Sequence, residues 1–540
     1  MIYKKSPTIP NFERRYKSRA PEIFEFRMSL IKSAATISGL TLMSRITGVI
    51  RDMLIARYFG ASAETDAFYV AFRLPNMLRR LFAEGAFQQA FVPMLSDVRE
   101  RESPERGAAF VDHVFTILGA AVLAASVLGV LCSPLLVWAI AGGMSENGEA
   151  FDLAVALTRF MFPYIAFMSL VALAASILNT LKHFAIPAAT PILLNLSFIG
   201  CTILVAPRLE EPVWALAGAV MLGGVLQLGA QWIALARLGV RLRPRAFGTS
   251  LADADVRRVL KLMVPALFGV GVAQLSILIN TNIASHLGHG AVTWLNYADR
   301  LMEFPTALLG VALGTVLLPG LSAAFAKNDL ERYNGLLDHG LRLVVLVGLP
   351  ASVGLWLTAD ALVAFLFQGR SFSPEDVRQT ATAVVGYSAG LMGLIALKIV
   401  APAFYARKDI RTPVRAAFAS LVVVQLINLV AVPLLAHAGL ALSVGLGSCV
   451  NALTLLVILG KRRIYKPLAG WGVYALRVFL ATVLMGAVLY WVQDGQDWTQ
   501  LGWAYRALGV ALLVAGAAVL YFGVLFVTGW RLRDLRPAKN

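Results

Sequence analysis

Charged residues are scarce in this chain. Only 15% of its 540 residues are Asp, Glu, Lys or Arg, whereas soluble globular domains carry about 25%. Hydrophobic residues make up 58%, and apolar runs of about 20 residues, long enough to cross a bilayer as a helix, recur along the chain. The segments between these runs are too short to fold as a soluble catalytic domain. The composition therefore excludes a soluble protein and predicts an all-α polytopic membrane protein.

Patterns typical of metal, disulfide and nucleotide sites are also missing. The three cysteines, Cys132, Cys201 and Cys449, lie in apolar segments without CxxC spacing, and the six histidines show no paired-ligand spacing. The chain contains neither a GxxxxGK(S/T) phosphate-binding loop nor paired Asp residues at a helix end that could hold a metal-diphosphate. We expect buried free thiols, no metal ion, no cofactor and no enzymatic activity.

The start of the chain lacks the features of a signal peptide, because no short apolar core precedes a small-residue cleavage site. The segment is polar and basic and includes three prolines. We expect residues 1–28 to form a disordered cytoplasmic tail. On this interpretation translation starts at either Met1 or Met28.

Fourteen apolar stretches separated by polar breaks are each predicted to span the membrane as a helix. The predicted bounds are 30–57, 64–95, 112–141, 154–180, 186–207, 212–236, 259–286, 291–325, 336–367, 379–405, 412–435, 438–460, 472–492 and 503–529. Prolines inside these spans are expected to kink them.

The net charge of +17 is explained by the loops and does not require a nucleic-acid partner. Basic segments such as "ARLGVRLRPR" and "GKRRIYK" alternate with segments poor in Lys and Arg, such as "GASAET" and "SHLGHG". Because cytoplasmic loops are rich in Lys and Arg, the basic loops and both termini are predicted to be cytoplasmic. An even number of spans agrees with this orientation.

Short segments of the two halves match in order at a nearly constant offset. "FVPMLS" matches "LLPGLS", "LVWAIAGGMS" matches "LVAFLFQGRS", and "ILNTLKHFAIPAATP" matches "IVAPAFYARKDIRTP". The offset spans six predicted helices, so both copies cross the membrane in the same sense. We therefore predict two parallel six-helix lobes plus two C-terminal helices. The predicted divisions are a tail (1–28), an N-terminal lobe (29–237), a basic cytoplasmic linker (238–258), a C-terminal lobe (259–462), and spans 13 and 14 with a cytoplasmic tail (463–540).

Three predicted spans carry charges where lipid should surround them. Each such charge costs roughly 2.5–3.5 kcal/mol at the bilayer centre, so ionisable groups there normally face a water-filled cavity and mark a substrate path. The charged residues of the first, second and eighth spans that are candidates for such a path are Arg45, Arg51, Asp52, Asp66, Arg73, Arg79, Arg80, Glu84, Asp299, Arg300 and Glu303.

The acidic members of this set are expected to be structural partners that hold arginines in place. Pairing alone leaves a basic excess, to which both lobes contribute. The forked guanidinium group suits two-point contact with phosphate oxygens, whereas a site for protons or cationic drugs would centre on Asp or Glu. We therefore expect a wetted cavity between the lobes that selects a polyanion, with a diphosphate as the best fit.

Long segments of these spans resemble a known family. "SRITGVIRDMLIARYFGAS", "TDAFYVAFRLPNMLRRLFAEGAFQQAFVPML" and "NYADRLMEFPTALLGVALGTVLLP" are similar to signature segments of the MviN/MurJ lipid II flippases, and the resemblance covers residues 29–530. It implies the fourteen-helix fold of the multidrug/oligosaccharidyl-lipid/polysaccharide exporter superfamily, with the last two helices forming part of a groove for the polyprenyl tail. It also implies transfer of the lipid-linked peptidoglycan precursor between leaflets of the bacterial cytoplasmic (inner) membrane.

The resemblance also implies roles for individual residues. Those matching essential family arginines, expected to bind substrate, are Arg45, Arg51, Arg79 and Arg300. Asp66, Arg80 and Glu84 match further functionally sensitive positions, and Arg73 stands where many members have Lys. Together with Asp52, Asp299 and Glu303 from the charge pattern, these residues are expected to support the cavity. The implied mechanism is alternating access driven by membrane potential or a coupled cation, and the Na⁺ site of some relatives cannot be matched here. Implied partners are lipid II, membrane lipids, and cell-wall synthesis or divisome proteins.

Two alternatives stay open. An exporter of another diphosphate-linked glycan, such as O-antigen, would share the lobes and the basic cavity but not these long segments. A non-transporting membrane scaffold would be expected to lose the cavity charges, which this sequence keeps.

Overall fold

The computed structural model describes residues 20–79, 87–146 and 148–531, and within these ranges every regular element is a helix. The α-helices are α1 (Ala20–Phe59), α2 (Ala63–Leu78), α3 (Phe87–Arg101), α4 (Pro104–Leu131), α5 (Ser133–Ile140), α6 (Gly148–Met161), α7 (Tyr164–Thr180), α8 (Ala185–Gly200), α9 (Trp214–Arg237), α10 (Phe247–Ala252), α11 (Ala254–Ser285), α12 (Ala291–Ala326), α13 (Leu330–Leu357), α14 (Ala359–Phe367), α15 (Pro374–Ser388), α16 (Leu391–Tyr405), α17 (Arg411–Lys461), α18 (Trp471–Gln493) and α19 (Trp503–Val527).

Where the structure describes them, the predicted spans fall on helical segments, but several boundaries differ. Helix α1 begins at Ala20, inside the predicted tail, because helix-forming residues extend it past the apolar part. The fourth predicted span is divided at Pro163 into α6 and α7. The second predicted span is described as α2 and α3, and residues 80–86 between them lie outside the described ranges, with Arg80 and Glu84 among them.

Length and apolar composition identify a multi-pass membrane protein. In the described ranges eight helical segments, with α6 and α7 counted as one, are long and apolar enough to cross a membrane. The number is nine if α15 and α16, bent by 44° to each other, also form one span. Helices α1, α2, α11 and α12 do not belong to this set. Three of these four carry the charges of the predicted site, so composition alone does not decide the number of spans.

Helix α17 is a hairpin of two antiparallel arms. At Ala436 the backbone has φ 47° and ψ −129°, which breaks the helix. Beyond the break the chain folds back, since a Cβ on Gly439 would lie 2.3 Å from the Ala431 carbonyl oxygen. The Ser420 hydroxyl of the first arm donates to the Gly447 carbonyl of the second arm at 2.6 Å. Two predicted spans therefore correspond to this one continuous element.

The same series of elements occurs twice along the chain. A long helix followed by a short one appears as α4–α5 and again as α13–α14, and a broken pair appears as α6–α7 and again as α15–α16. Each broken pair is followed by two antiparallel helices, α8–α9 or the arms of α17. We call α1 to α9 the N-terminal half and α11 to α17 the C-terminal half. The order of elements agrees with the matched sequence segments.

The last two helices pack on the C-terminal half. Tyr521 of α19 donates to the Leu346 carbonyl of α13 at 2.6 Å, and Gln493 at the end of α18 donates to the Leu357 carbonyl at 3.0 Å. The segment that leads into α18 is held by the buried carboxylate of Asp338, which accepts from Tyr465 and Trp471.

Close packing within the C-terminal half depends on a contact between two glycines. A Cβ on Gly390, between α15 and α16, would lie 2.0 Å from the Gly445 Cα of α17. Replacing Gly390 with alanine should therefore destabilise the fold by about 1–3 kcal/mol, the usual effect of overpacking, and lower the thermal unfolding temperature in detergent. Gly335 of α13 is the matched control, since a Cβ there would meet nothing within 4 Å. Equal unfolding temperatures for the two alanine variants would contradict this packing.

Candidate functional site

A charged cavity lies between the two halves. Its walls come from α1, α2 and α8 on one side and α11 and α12 on the other, and its volume is about 80 Å³, which is room for several water molecules. We call it the arginine compartment. Its charged lining residues are Arg51, Asp52, Arg73, Asp299, Arg300 and Glu303.

Arg51 is held by α1 itself and by α8. Its guanidinium donates to Asp52 Oδ1 at 2.7 and 2.9 Å and to Asn195 Oδ1 at 3.0 Å. It also lies 5.5 Å from the ring centroid of Phe198. Asn195 donates back to the Ser44 carbonyl at 2.9 Å, so α8 fixes the part of α1 that carries Arg51.

Asp52 is the point where charges of the two halves meet. Its Oδ1 accepts from Arg51, and its Oδ2 lies 3.7 Å from Arg300 Nε of α12. Arg300 also lies 3.4 Å from Glu303 and remains 35% exposed, whereas Arg51 is 14% exposed. One carboxylate is thus shared by guanidinium groups from opposite halves. Its contact with Arg300, which joins the halves, is longer and weaker than its contact with Arg51.

The lining of the arginine compartment is balanced in this conformation, with three arginines and three acids. The basic excess expected from the sequence is not present in this compartment, because two of the predicted arginines lie elsewhere. Arg45 is exposed on α1, six residues before Arg51 in the chain. Arg79 is half-buried and donates to Asn76 Oδ1 at 2.9 and 3.1 Å, and of these two residues only Asn76 lines the cavity.

A second and larger cavity adjoins the first. It has a volume of about 500 Å³ and is walled by α11, α12, α15, α16 and both arms of α17, so we call it the C-terminal compartment. Arg73 of α2 lies at the junction and donates to the Thr281 hydroxyl of α11. The residues that line both compartments are Arg73, Gln274, Ile277, Asp299 and Glu303.

Asp66 does not line either cavity, although Asp66 and Arg73 are both among the residues expected from the sequence to support the cavity. Its buried carboxylate accepts from the Gly290 amide at 2.7 Å, the Thr293 amide at 2.8 Å and the Thr293 hydroxyl at 2.6 Å. It therefore caps the N-terminus of α12, where the helix presents free N–H groups. This cap joins the two halves at the end that the loop charges predict to be outside the cell.

Other contacts between the halves lie at the same end. The Tyr69 hydroxyl donates to the Tyr297 hydroxyl at 3.1 Å, and Arg57 donates to the Phe365 carbonyl at 2.8 Å. The Gly143 amide donates to the Ser285 hydroxyl at 3.1 Å. Because these contacts come from several loops and helices, this end of the cavity is closed by direct packing.

The halves also touch at the opposite end. Arg106 of α4 donates to Asp253 at 2.9 Å and to Asp255 at 2.7 Å, while Phe91 and Val259 belong to one hydrophobic cluster. Burial raises the pKa of Asp253, but hydrogen bonds from backbone amides and from Arg106 outweigh this and lower the pKa below its usual value. Asp253 therefore stays ionised and keeps the pair intact at neutral pH.

Sequence reasoning missed the neutral members of the site. Asn195, Phe198 and Thr281 each contact a charged residue of the cavity. Asn195 could have been noticed as an amide inside the apolar run "PILLNLSF". Phe198 and Thr281 have no such signal, because similar residues occur throughout the spans.

The site does not have the composition of a metal centre. Among the residues that the structure describes, no group of three or more His, Cys, Asp or Glu side chains could hold a metal ion. Forked arginines on opposite walls suit an anion with several oxygens, since each guanidinium can contact two of them.

Comparisons with known proteins identify relatives over nearly the whole chain. The family model for the lipid II flippase MurJ matches residues 55–508. The lipid II flippase MurJ of Burkholderia cenocepacia is 49% identical over 517 residues, which cover 94% of this chain and 99% of that protein. The probable lipid II flippase MurJ of Vibrio cholerae is 35% identical over 526 residues, with coverage of 96% and 100%.

Solved structures share the fold. A lipid II flippase MurJ in an inward closed conformation superposes with a TM-score of 0.76 at 24% identity and covers 91% of this chain and 97% of its own. A transporter of the multidrug resistance MATE family, in an inward-facing conformation, superposes with a TM-score of 0.64 at 14% identity, covering 80% and 98%.

Proposed function

This chain belongs to the lipid II flippase MurJ family, and on that premise we propose that it moves lipid II from the inner to the outer leaflet of the bacterial cytoplasmic membrane by alternating access. Family membership confirms two expectations from the sequence, namely the family itself and a transporter rather than an enzyme. It makes lipid II the substrate and peptidoglycan synthesis the process that this protein serves.

The observation that carries the mechanism is the shared carboxylate of Asp52. Arg51 and Arg300 face the same cavity from opposite halves, and Asp52 accepts from the first and lies near the second. A diphosphate offers more oxygens and more charge than one carboxylate, so it competes for both guanidinium groups. Binding of the lipid head would therefore replace a contact between the halves with contacts to the substrate.

Movement of the halves follows from this exchange. The end with Asp66 and Tyr69 is closed, while the arginine compartment is small for a lipid-linked glycan. The head enters when the halves separate at the Arg106 end, and the polyprenyl tail stays in the bilayer. Closing that end and breaking the Asp66 cap then opens the cavity to the outside. Arg45 and Arg79 meet the head on its way through the separated halves.

The proposed topology has fourteen spans. The twelve spans of the two lobes come from the repeated series of elements, with α17 counted as two, and α18 and α19 add the last two. The basic loops, including the 238–258 linker, and both termini are cytoplasmic by the positive-inside rule. Membrane potential or a coupled cation supplies the driving force, since no nucleotide-binding loop is present in the sequence.

The test is replacement of a bacterium's own flippase. Cells depleted of that protein should grow when this chain is expressed and should lyse without it. Purified protein in vesicles should move lipid II to the outer leaflet, where an added enzyme that acts only on exposed lipid II can modify it. Rescue of growth without movement of lipid II in vesicles would favour a scaffold, and movement of an O-antigen lipid in preference to lipid II would favour an exporter of that glycan.

A further inference from the structure

The C-terminal compartment has a volume that the diphosphate does not explain. At about 500 Å³ it is much larger than the arginine compartment, and it adjoins that compartment at Arg73, Asp299 and Glu303, which line both. Volumes of this size are typical of sites that enclose an organic ligand. A head group anchored by its phosphates at Arg51 and Arg300 would therefore extend its remaining part into this space.

The walls of the C-terminal compartment carry neutral hydrogen-bonding groups between apolar residues. They include the amides of Gln274, Asn280 and Asn451 and the hydroxyls of Thr281, Thr306 and Tyr387. Asn280 accepts from Asn428 at 3.0 Å, so an amide behind the wall holds the Asn280 side chain in place. Amides and hydroxyls match the hydrogen-bonding groups of N-acetylated sugars and peptides and do not select for phosphate.

One wall acceptor is left without a partner. The Oδ1 atom of Asn451 is buried and has no hydrogen-bond partner among the described residues. A buried acceptor in this state is costly, by about 1–3 kcal/mol. An N–H group of a ligand in the compartment would satisfy it, and peptides and N-acetyl groups supply such donors.

Lys398 places a positive charge in the same compartment, apart from the arginines. It lies on α16 and lines the C-terminal compartment but not the arginine compartment. Lys398 is exposed, and among the side chains that the structure describes none forms an ion pair with it. An ammonium group on a membrane helix is normally matched by a counter-charge or by water in a pathway. A ligand carboxylate in the compartment would be such a counter-charge.

We propose that the C-terminal compartment holds the peptide part of the lipid II head, and that Lys398 pairs with a peptide carboxylate. The proposal rests on the function proposed above and adds a second point of recognition to the diphosphate site. The arginines recognise a feature common to all diphosphate-linked lipids. Lys398 and the amide wall recognise the peptide, which sets lipid II apart from lipids that carry sugars alone.

The test compares three lipids in vesicles that contain the full-length protein. They are lipid II with free peptide carboxylates, lipid II with those carboxylates converted to amides, and a diphosphate-linked disaccharide lipid without peptide. Replacing Lys398 with methionine should slow transfer of lipid II with free carboxylates about tenfold, as expected for loss of one charged contact. The transfer rates of the amidated lipid II and of the lipid without peptide should not change. Lys398→Arg should keep the preference for lipid II with free carboxylates over the other two lipids. Lys461→Met, which removes an exposed lysine elsewhere, should not change any of the three transfer rates.

Other results would overturn the proposal. An equal loss for all three lipids in Lys398→Met would show a general structural role, such as contact with lipid head groups. An unchanged rate for all three would show that Lys398 does not meet the substrate. Failure of the wild-type protein to move any of the three lipids would instead reject the proposed function itself, which separates the two conclusions.

Discussion

Replacing Arg300 with alanine is expected to slow transfer of lipid II by about a hundredfold or more. Arg300 lies on α12, and its guanidinium group lines the arginine compartment near Asp52 and Glu303. Its loss removes a contact to the diphosphate and leaves acidic groups of the cavity with less counter-charge. Truncating one member of a charged pair in a protected site costs about 2–5 kcal/mol, which corresponds to a factor of thirty to several thousand.

The measurement is the rate of lipid II exposure in vesicles, with growth of flippase-depleted cells beside it. Arg300→Lys keeps the charge but not the fork, so its rate should be intermediate. Arg370→Ala, which removes an exposed arginine outside both compartments, should leave the rate unchanged.

A double variant separates the two reasons for the loss. If repulsion by an uncompensated Asp52 were the cause, adding Asp52→Asn to Arg300→Ala would restore transfer. We expect no recovery, because the missing contact to phosphate is not replaced. Transfer by Arg300→Ala at the wild-type rate would contradict the assignment of the site.

Replacing Asp66 with alanine is expected to shift the protein toward a state open at the predicted outer end. The carboxylate accepts three hydrogen bonds from the first turn of α12 and is buried between the halves. Losing these bonds should weaken the closed state by about 3 kcal/mol, or about a hundredfold in its population relative to the open state. Transfer should fall as well, since the closed state is needed to accept substrate from inside.

A thiol reporter measures this shift. Asn296 lines the arginine compartment, so a cysteine at that position, in a chain whose three native cysteines have been replaced, reports access from outside. A membrane-impermeant thiol reagent added to cells should label it faster in Asp66→Ala than with Asp66 present. The labelling rate of Asp66→Asn, which keeps one acceptor oxygen, should lie between the rates measured for Asp66→Ala and for the protein with Asp66.

The control for this effect is another acid near the same end. Asp152 is exposed on α6, and Asp152→Ala should leave labelling unchanged. Labelling of Asp66→Ala at the rate seen with Asp66 intact would show that the cap does not hold the outer end closed.

Local patterns in the sequence predicted most of the helices of this fold, although not all of their boundaries. Apolar runs long enough to span a bilayer coincide with helices because each backbone N–H and C=O in lipid must be paired within its own segment. The break at Pro163 agrees with its missing N–H group, whereas Pro75, Pro305 and Pro402 stay inside continuous helices. The matched segments agree with the repeated order of elements. The charges of α1, α2 and α12 also marked a cavity, since the cost of burying them in lipid is a property of the residues themselves.

The packing of helices from different parts of the chain alone decided which charged side chains contact one another. Asp66 and Arg73 belong to the same helix, yet one caps α12 and the other lies between two compartments. The angular position of a residue on its own helix does not say which helix packs opposite, or whether a neighbouring helix ends there and exposes its amides.

The balance of charge in the cavity was decided in the same way. The sequence fixes how many arginines and acids the three helices carry, but tertiary contacts determine which of them share one compartment. Asn195, one hundred and forty-four positions from Arg51, orients that arginine although no local pattern links the two. The sequence thus determined the class of protein and the chemistry available to it, whereas the fold decided where that chemistry acts, because contact between distant segments depends on the packing of all the helices together.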